Sequence, residues 1–374
     1  MNRLQRLHQA GVSIWLDTLS RPLLESGDFA QLVKQCAVTG ATSNPTIFAR
    51  AITASDRYDE QLRAVAEAGT RDPQDIFFEL ALDDIRRAAE ELRPVFDASS
   101  GRDGFVSFEC TPDVAYDTAA TIKQATQLWE RLDRPNVLIK VPATAAGVPA
   151  IEQLTANGVN VNVTLLFSVA RYEQVIDAYL TGLERRMSTG QPLDGITSVA
   201  SFFVSRVDTK ASQVLNDTSP LRNRVAVANA HRAYQRYRAR FGDERWAALE
   251  RLGARPQRPL WASTATKDPN ASDVLYVEQL IARDVINTMP QATLAAFADH
   301  GDVADAIGLD AHDVDRVLRD GAAAGVDLPA ITRDLEHEGV RAFCDSYREL
   351  LSCIDAKLTD AASHTPVTEP EAAA

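Results

Sequence analysis

The chain has 374 residues, 45% of them hydrophobic and 24% charged, with a formal net charge of −13. That composition is globular, and the length suits one large barrel or two ordinary domains. The acidic balance argues against sequence-independent nucleic-acid binding, and any phosphate group needs Arg or Lys close at hand.

Apolar runs of strand length alternate with amphipathic helical patterns along the chain. The first two strands are expected at residues 13–17 and 38–43. A helix follows over 71–93, with Ile76, Leu80, Leu82, Ile85 and Leu92 among its apolar positions. The third strand is expected at 104–109. The spacing predicts a helix over 111–132, with Thr111 as N-cap, Pro112 at its first position and Asp113 in its first turn. Strands four and five are expected at 136–141 and 159–165. A helix over 168–187 then starts at a Ser cap and carries Tyr172, Val175, Ile176, Tyr179 and Leu183 on one face. Strand six is expected at 196–201. An enlarged, Arg-rich helical connection, 206–258, follows it, with caps near Ser219 and Gly242. Strands seven and eight are expected at 260–264 and 285–288. Residues 301–357 read as helical with no further strand, and are expected to pack outside the barrel. Residues 359–374, rich in Ala, Thr, Pro and Glu, read as a disordered tail.

Strands alternating with helices imply βαβ units and a parallel sheet. Eight of them in one chain favour an α/β fold of the (β/α)8 TIM barrel type, with extra helices after strand six and at the C-terminus. The expected organisation is one barrel domain with its C-terminal helices over 1–358. No stretch of sequence approaches a membrane span, and residues 1–9 lack the apolar core of a signal peptide. Cys36, Cys110, Cys344 and Cys353 have no paired spacing and read as free thiols in a cytoplasmic protein.

In such barrels the active site collects at the C-terminal ends of the strands. Here those ends carry Asp17, Thr42-Ser43-Asn44, Glu109, Lys140, Asn162 with Thr164, Ser201, and Ser263-Thr264. Asn162 and Thr164, two apart, share one face of a strand. Polar side chains pointing into one barrel mouth oppose packing unless they serve one polar ligand. Lys140 stands out, because a lysine among Val, Leu and Ile is rarely buried without a partner. Burial disfavours the ammonium form. A neutral amine in a dry pocket attacks carbonyls to form Schiff bases. Read alone, Lys140 fits better a strand-end lysine that snorkels to solvent, and the other strand ends shift that balance. Asp17 and Glu109 supply two carboxylates able to divide the proton transfers of such chemistry. Asp17 also fits an N-cap of the following turn, and Glu109 an ion at a helix start. Arg206 after strand six and Lys267 after strand seven lie where barrels often hold phosphate, though both also fit solvated surface cations. Cys110 reads as a packing residue. All six histidines fall outside the strand ends, so a metal-dependent aldolase site is disfavoured.

Taken together in order, these segments resemble the transaldolase family. The resemblance rests on Trp15-Leu16-Asp17, Gly40-Ala41-Thr42-Ser43-Asn44-Pro45-Thr46-Ile47-Phe48 and Val106-Ser107-Phe108-Glu109. It continues through Ile139-Lys140-Val141-Pro142-Ala143-Thr144, Asn162-Val163-Thr164-Leu165-Leu166-Phe167-Ser168 and Ser201-Phe202-Phe203-Val204-Ser205-Arg206. Trp261-Ala262-Ser263-Thr264 and Asn287-Thr288-Met289-Pro290 close the set. The length and long helical segments resemble the actinobacterial and cyanobacterial branch. The resemblance implies Lys140 as the Schiff-base lysine and Asp17 as the acid/base for carbon–carbon cleavage. It implies that Glu109 and Thr164 hold a proton-shuttling water, and that Asn44, Asn162 and Ser201 hold the dihydroxyacetone part of the substrate. Phe203 belongs to the substrate pocket; Arg206 and Ser263 approach the phosphate. Lys267 is the nearest match to a basic residue of the family, at a spacing that differs from the shorter members. The related fructose-6-phosphate aldolases tend to have Gln for Glu109 and Tyr for Phe203. The expectation is therefore dihydroxyacetone transfer between sugar phosphates, with no cofactor and no metal, by a monomer or homodimer that binds neither nucleic acid nor membrane. The alternatives are a simple Schiff-base aldolase and a catalytically silent sugar-phosphate-binding barrel.

Overall fold

The computed structural model describes residues 1–70, 72–303 and 311–363, with side chains to residue 359. Eight strands form a closed barrel in sequence order: β1 (Val12–Leu16), β2 (Val38–Thr42), β3 (Phe105–Glu109), β4 (Val137–Pro142), β5 (Val161–Leu166), β6 (Ser198–Phe203), β7 (Arg258–Ala262) and β8 (Val285–Met289). Every pairing is parallel, and β1 closes on β8 with Val12 opposite Val285. The strands are buried along nearly their whole length, as expected of a sheet covered on both faces. The (β/α)8 barrel read from the alternation is thus present, and the strand boundaries differ from the expected ones by two residues at most. Gly40 of β2 lies against the Trp15 indole, where a Cβ would come within 2.5 Å of the ring. The same indole donates to Asp103 Oδ1 at 2.8 Å just before β3.

Local chemistry explains most helix ends. Asp72 caps the helix Pro73–Ala98 by accepting from Gln74 N and Asp75 N. The expected first residue of that helix, Arg71, lies outside the described residues. Ser168 caps Val169–Ser188 through Arg171 N at 3.1 Å. Thr111 stands at the N-cap position with Pro112 and Asp113 after it, but of a 3-10 turn and not of the α-helix, and its side chain makes no cap hydrogen bond. A short 3-10 turn, Pro112–Val114, comes first, and the α-helix Thr118–Leu132 starts at Asp117, which accepts from Ala120 N at 2.9 Å. Thr111 is held by Gln124 instead, which accepts from its N–H at 2.8 Å and donates to its hydroxyl at 2.7 Å. The β6–β7 connection contains three helices, Ser205–Ala211, Val225–Arg240 and Glu244–Glu250. The cap expected near Gly242 is present, and the one expected near Ser219 is not a helix cap. Val225–Arg240 has no side-chain N-cap, and Asp243, next to Gly242, caps the third helix through Trp246 N at 2.8 Å.

The C-terminal region departs furthest from expectation. The helix Leu328–Ser363 lies across the C-terminal mouth of the barrel. It packs on the helix Pro45–Thr53 after β2, on the 3-10 turn after β3, on β5 and on Ser205–Ala211 after β6. Leu335, Val340, Phe343, Tyr347, Leu350 and Ile354 form its buried stripe. Burying that stripe against these elements stabilises the fold by roughly 1.5–3 kcal/mol per large side chain, which favours the barrel top over an outer, half-exposed position. Gly339 lets the helix approach, since a Cβ there would stand 2.9 Å from Leu165. Its rim is tied by Thr46 Oγ1 to Ser346 Oγ at 2.6 Å and by Lys210 to Glu338 at 2.6 Å. The helix continues through Ser363, past residue 359 where a tail was expected, and 364–374 lie outside the described residues.

Candidate active site

A cavity of about 160 Å³ opens at the C-terminal ends of the strands. Asp17, Asn44, Lys140, Thr164, Ser201 and Phe203 line it, and Arg206, Ser263 and Lys267 line its outer part. Glu109 and Asn162 are buried and bonded to lining residues. The eleven residues that the resemblance assigns to a site therefore meet in one place.

The floor is built by register. Glu109 pairs with Lys140 across β3 and β4, and Lys140 pairs with Asn162 across β4 and β5. Lys140 is only 5% exposed and does not snorkel to solvent. Its Nζ donates to Glu109 Oε2 at 3.3 Å and to the carbonyl of Ser43 at 3.1 Å. The other Glu109 oxygen, Oε1, is buried without a hydrogen-bond partner, and so is Thr164 Oγ1. Buried polar atoms are rarely left unpaired, so each is an open hydrogen-bonding position in the site. Burial raises the Glu109 pKa above its ordinary value; the Lys140 charge opposes the rise and the Asp17 charge adds to it.

Asp17, immediately after β1, is half-buried. It does not act as a cap: its carboxylate accepts from Thr42 Oγ1 at 2.8 Å. Thr42 Oγ1 also lies 2.8 Å from Thr288 Oγ1. A hydroxyl has one proton, so when Thr42 donates to Asp17, Thr288 donates to Thr42. Burial raises the Asp17 pKa, and Lys140, the Thr42 hydrogen bond and Arg206 pull it back.

Three further side chains are pre-organised. Asn162 Nδ2 donates to Ser107 Oγ at 2.9 Å, and Ser201 Oγ donates to Asn162 Oδ1 at 2.7 Å. Asn44 caps Pro45–Thr53 by accepting from Ile47 N at 3.0 Å, which leaves its amide nitrogen for a ligand. Ser263 has φ of +56°, an uncommon left-handed backbone for a residue with a Cβ. Its carbonyl accepts from Ser205 N at 3.0 Å and its hydroxyl lies 2.9 Å from Ser205 Oγ, which ties β7 to the helix that carries Arg206.

The Arg206 guanidinium lies 5.4 Å from the centre of the Phe203 ring and makes no hydrogen bond or ion pair with any described residue. Burial lowers its pKa, with Asp17 and Glu338 opposing. Lys267 is exposed at the rim and likewise has no partner among the described residues. Cys110 is buried and its thiol is pushed far up, so it is an unreactive packing group.

Phe343, from the C-terminal helix, escaped the sequence reading, and so did the roles of Thr42 and Thr288 as the hydroxyl pair behind Asp17. The threonines lie inside quoted motifs, so the signal was present without a role. Nothing local to Phe343 relates it to a site some 200 residues away in sequence. Among the described residues, no group of three His, Cys, Asp or Glu side chains could hold a metal ion. No helix among them is long and apolar enough to cross a membrane.

The family model described as Transaldolase/Fructose-6-phosphate aldolase matches residues 14–354. Among curated relatives, the Transaldolase of Saccharopolyspora erythraea is 48% identical over 364 residues, covering 96% of this chain and 99% of that protein. The Transaldolase of Thermobifida fusca is 48% identical over 368 residues, covering 97% and 99%. Transaldolase 1 of Streptomyces coelicolor is 47% identical over 370 residues, covering 95% and 94%.

Proposed function

The chain belongs to the transaldolase/fructose-6-phosphate aldolase family, and from that premise we propose that it transfers a dihydroxyacetone unit between sugar phosphates through a Schiff base on Lys140. The donor is sedoheptulose 7-phosphate and the acceptor glyceraldehyde 3-phosphate, giving erythrose 4-phosphate and fructose 6-phosphate, a step of the pentose phosphate pathway. The observation that carries the reading is the buried Lys140 amine beside Glu109, in a cavity whose wall also carries Asp17.

The chemistry follows from these positions. Lys140, as the neutral amine, attacks the ketose carbonyl carbon and forms a carbinolamine. Its hydroxyl leaves as water with a proton passed from Glu109 through a water held by Glu109 Oε1 and Thr164 Oγ1. The two unpaired oxygens support this role. Asp17 takes the proton of the substrate hydroxyl at the carbon–carbon bond to be cut. The bond breaks, its electrons pass into the iminium, and the aldose leaves. The remaining enamine attacks the acceptor aldehyde, Asp17 returns the proton, and hydrolysis frees Lys140. Asn44, Asn162 and Ser201 hold the three-carbon unit by hydrogen bonds. Arg206 holds the phosphate, with Ser263 fixing its helix and Lys267 adding charge at the rim. No cofactor is needed, because the protonated imine is the electron sink. Four free thiols support a cytoplasmic setting.

Glu109 and Phe203 favour transfer over simple aldol cleavage, where Gln and Tyr are the usual residues. An acceptor-dependence assay tests the choice. With fructose 6-phosphate, product should form rapidly only when erythrose 4-phosphate or another aldose phosphate is present. Release of free dihydroxyacetone at the same rate without acceptor contradicts transfer.

A further inference from the structure

At the opposite end of the barrel a second cavity, of about 700 Å³, opens at the N-terminal ends of the strands. Arg102 precedes β3, Thr197 precedes β6, Arg258 begins β7, and Arg283 with Asp284 precedes β8. Arg238 and Arg255 complete its charged wall. Five guanidiniums thus face two carboxylates, Glu250 and Asp284, in a chain of net charge −13.

Arg102 pairs with Asp284 at 3.0 Å. Arg238, Arg255, Arg258 and Arg283 make no ion pair among the described residues; Arg238 is held chiefly by the Tyr234 hydroxyl, with Asp284 a weaker, longer-range attraction. Two of these are fixed in place by neutral groups. Arg255 donates to the carbonyls of Gly101 and Ser100, the latter at 2.9 Å. Arg258 donates to the carbonyl of Arg102 at 3.0 Å and to Ser13 Oγ at 2.6 Å. Carbonyls satisfy hydrogen bonds and leave the positive charge uncompensated. Arg238 and Arg283 are exposed at the mouth. Thr197 Oγ1, on a residue 7% exposed, is buried in the wall with no hydrogen-bond partner. The remaining wall is aromatic: the Tyr237 and Phe241 rings are tilted with centres 5.2 Å apart, and Phe241 and Trp246 meet edge to face at 5.0 Å, all from the β6–β7 connection.

Like charges gathered in one concavity repel one another, and an anion relieves that repulsion. Guanidiniums bind phosphate oxygens in bidentate fashion. The volume lies within the usual range of small-molecule sites, roughly 300–1,000 Å³. We propose that this cavity binds an organic di- or triphosphate carrying a planar ring, the chemistry of a nucleoside polyphosphate. Its phosphates sit on the arginines and its ring on the aromatic wall. The later part of the β6–β7 connection, from Val225 to Glu250, is unused by the reaction and builds this wall.

Calorimetric titration of the full-length protein with ADP tests the proposal. One site is expected in the wild type, weakened at least about tenfold in the double variant R238E/R283E and less in R283Q alone. Both residues are exposed, so the melting temperature and the KM for fructose 6-phosphate should stay at wild-type values. Arg206→Ala, which alters the active-site phosphate position, should leave ADP binding unchanged. No binding of ADP at millimolar concentration overturns the proposal. So does binding lost in Arg206→Ala and kept in R238E/R283E, or adenosine binding as tightly as ADP.

Discussion

The Nζ of Lys140 stands 3.3 Å from Oε2 of Glu109, while Oε1 of the same carboxylate is buried without a partner. One oxygen thus faces the amine and the other is free to accept a hydrogen bond. Asp17 meets the same cavity through a different support, the Thr42 and Thr288 hydroxyls. Two carboxylates with different neighbours suit two different proton transfers.

That difference predicts separable defects. Asp17→Ala should still form the reducible adduct with fructose 6-phosphate and fail to cleave it. Glu109→Gln should slow adduct formation itself. Rapid-quench borohydride trapping measures adduct formation, and product release measures cleavage. The same defect in both variants would remove the division of labour.

Arg206 carries the phosphate prediction. The chain is acidic overall, so phosphate binding relies on local contacts. Arg206→Ala should raise KM for phosphorylated acceptors by ~10- to 100-fold, the ~1.5–3 kcal/mol of a hydrogen bond to a charged group. Unphosphorylated glyceraldehyde should be much less affected. The pH profile should move as well. Burial raises the Asp17 pKa above 3.8 and the Arg206 charge opposes that rise. Losing that charge should shift the acid limb of kcat/KM to higher pH. Equal losses on both acceptors with an unmoved limb would assign Arg206 to the fold.

A stability prediction concerns Asp208, in the helix after β6. It accepts from Ala226 N at 2.9 Å and from Tyr276 Oη at 3.0 Å, yet burial lifts its pKa from 3.8 to about 6. A carboxyl whose folded pKa is raised binds its proton more tightly when folded. Stability therefore falls as pH rises from about 4 to about 6, by on the order of 3 kcal/mol. Asp208→Asn carries no such titration. Denaturant melts at pH 4 and pH 7 should show the variant gaining on the wild type at the higher pH. A constant difference across that window would contradict the shifted pKa.

Much of this architecture was legible in the residues because its signals are local. Eight short apolar runs gave the barrel, and polar residues at their ends gave the candidate site. Ser168 announced a helix start that the structure contains. What was not legible depends on distant partners. Thr111 looks like a cap until Gln124 takes its N–H and hydroxyl. The stripe from Leu335 to Ile354 announces an amphipathic helix without saying which surface it covers, so Phe343 at the site mouth could not be foreseen. The hydroxyl chain from Thr288 through Thr42 to Asp17 joins three strand ends and has no sequence spacing of its own.

The central claim is that Lys140 becomes covalently bonded to the substrate. The most direct measurement is a mass spectrum of the protein digested after reaction with fructose 6-phosphate and borohydride. The account predicts a reduced dihydroxyacetone adduct on the peptide that contains Lys140, absent in Lys140→Arg, whose guanidinium cannot lose its proton to attack a carbonyl. That variant should also keep less than about a hundredth of the wild-type kcat, a barrier increase of at least ~3 kcal/mol. An adduct on another lysine, or no adduct at all in an active preparation, would contradict it.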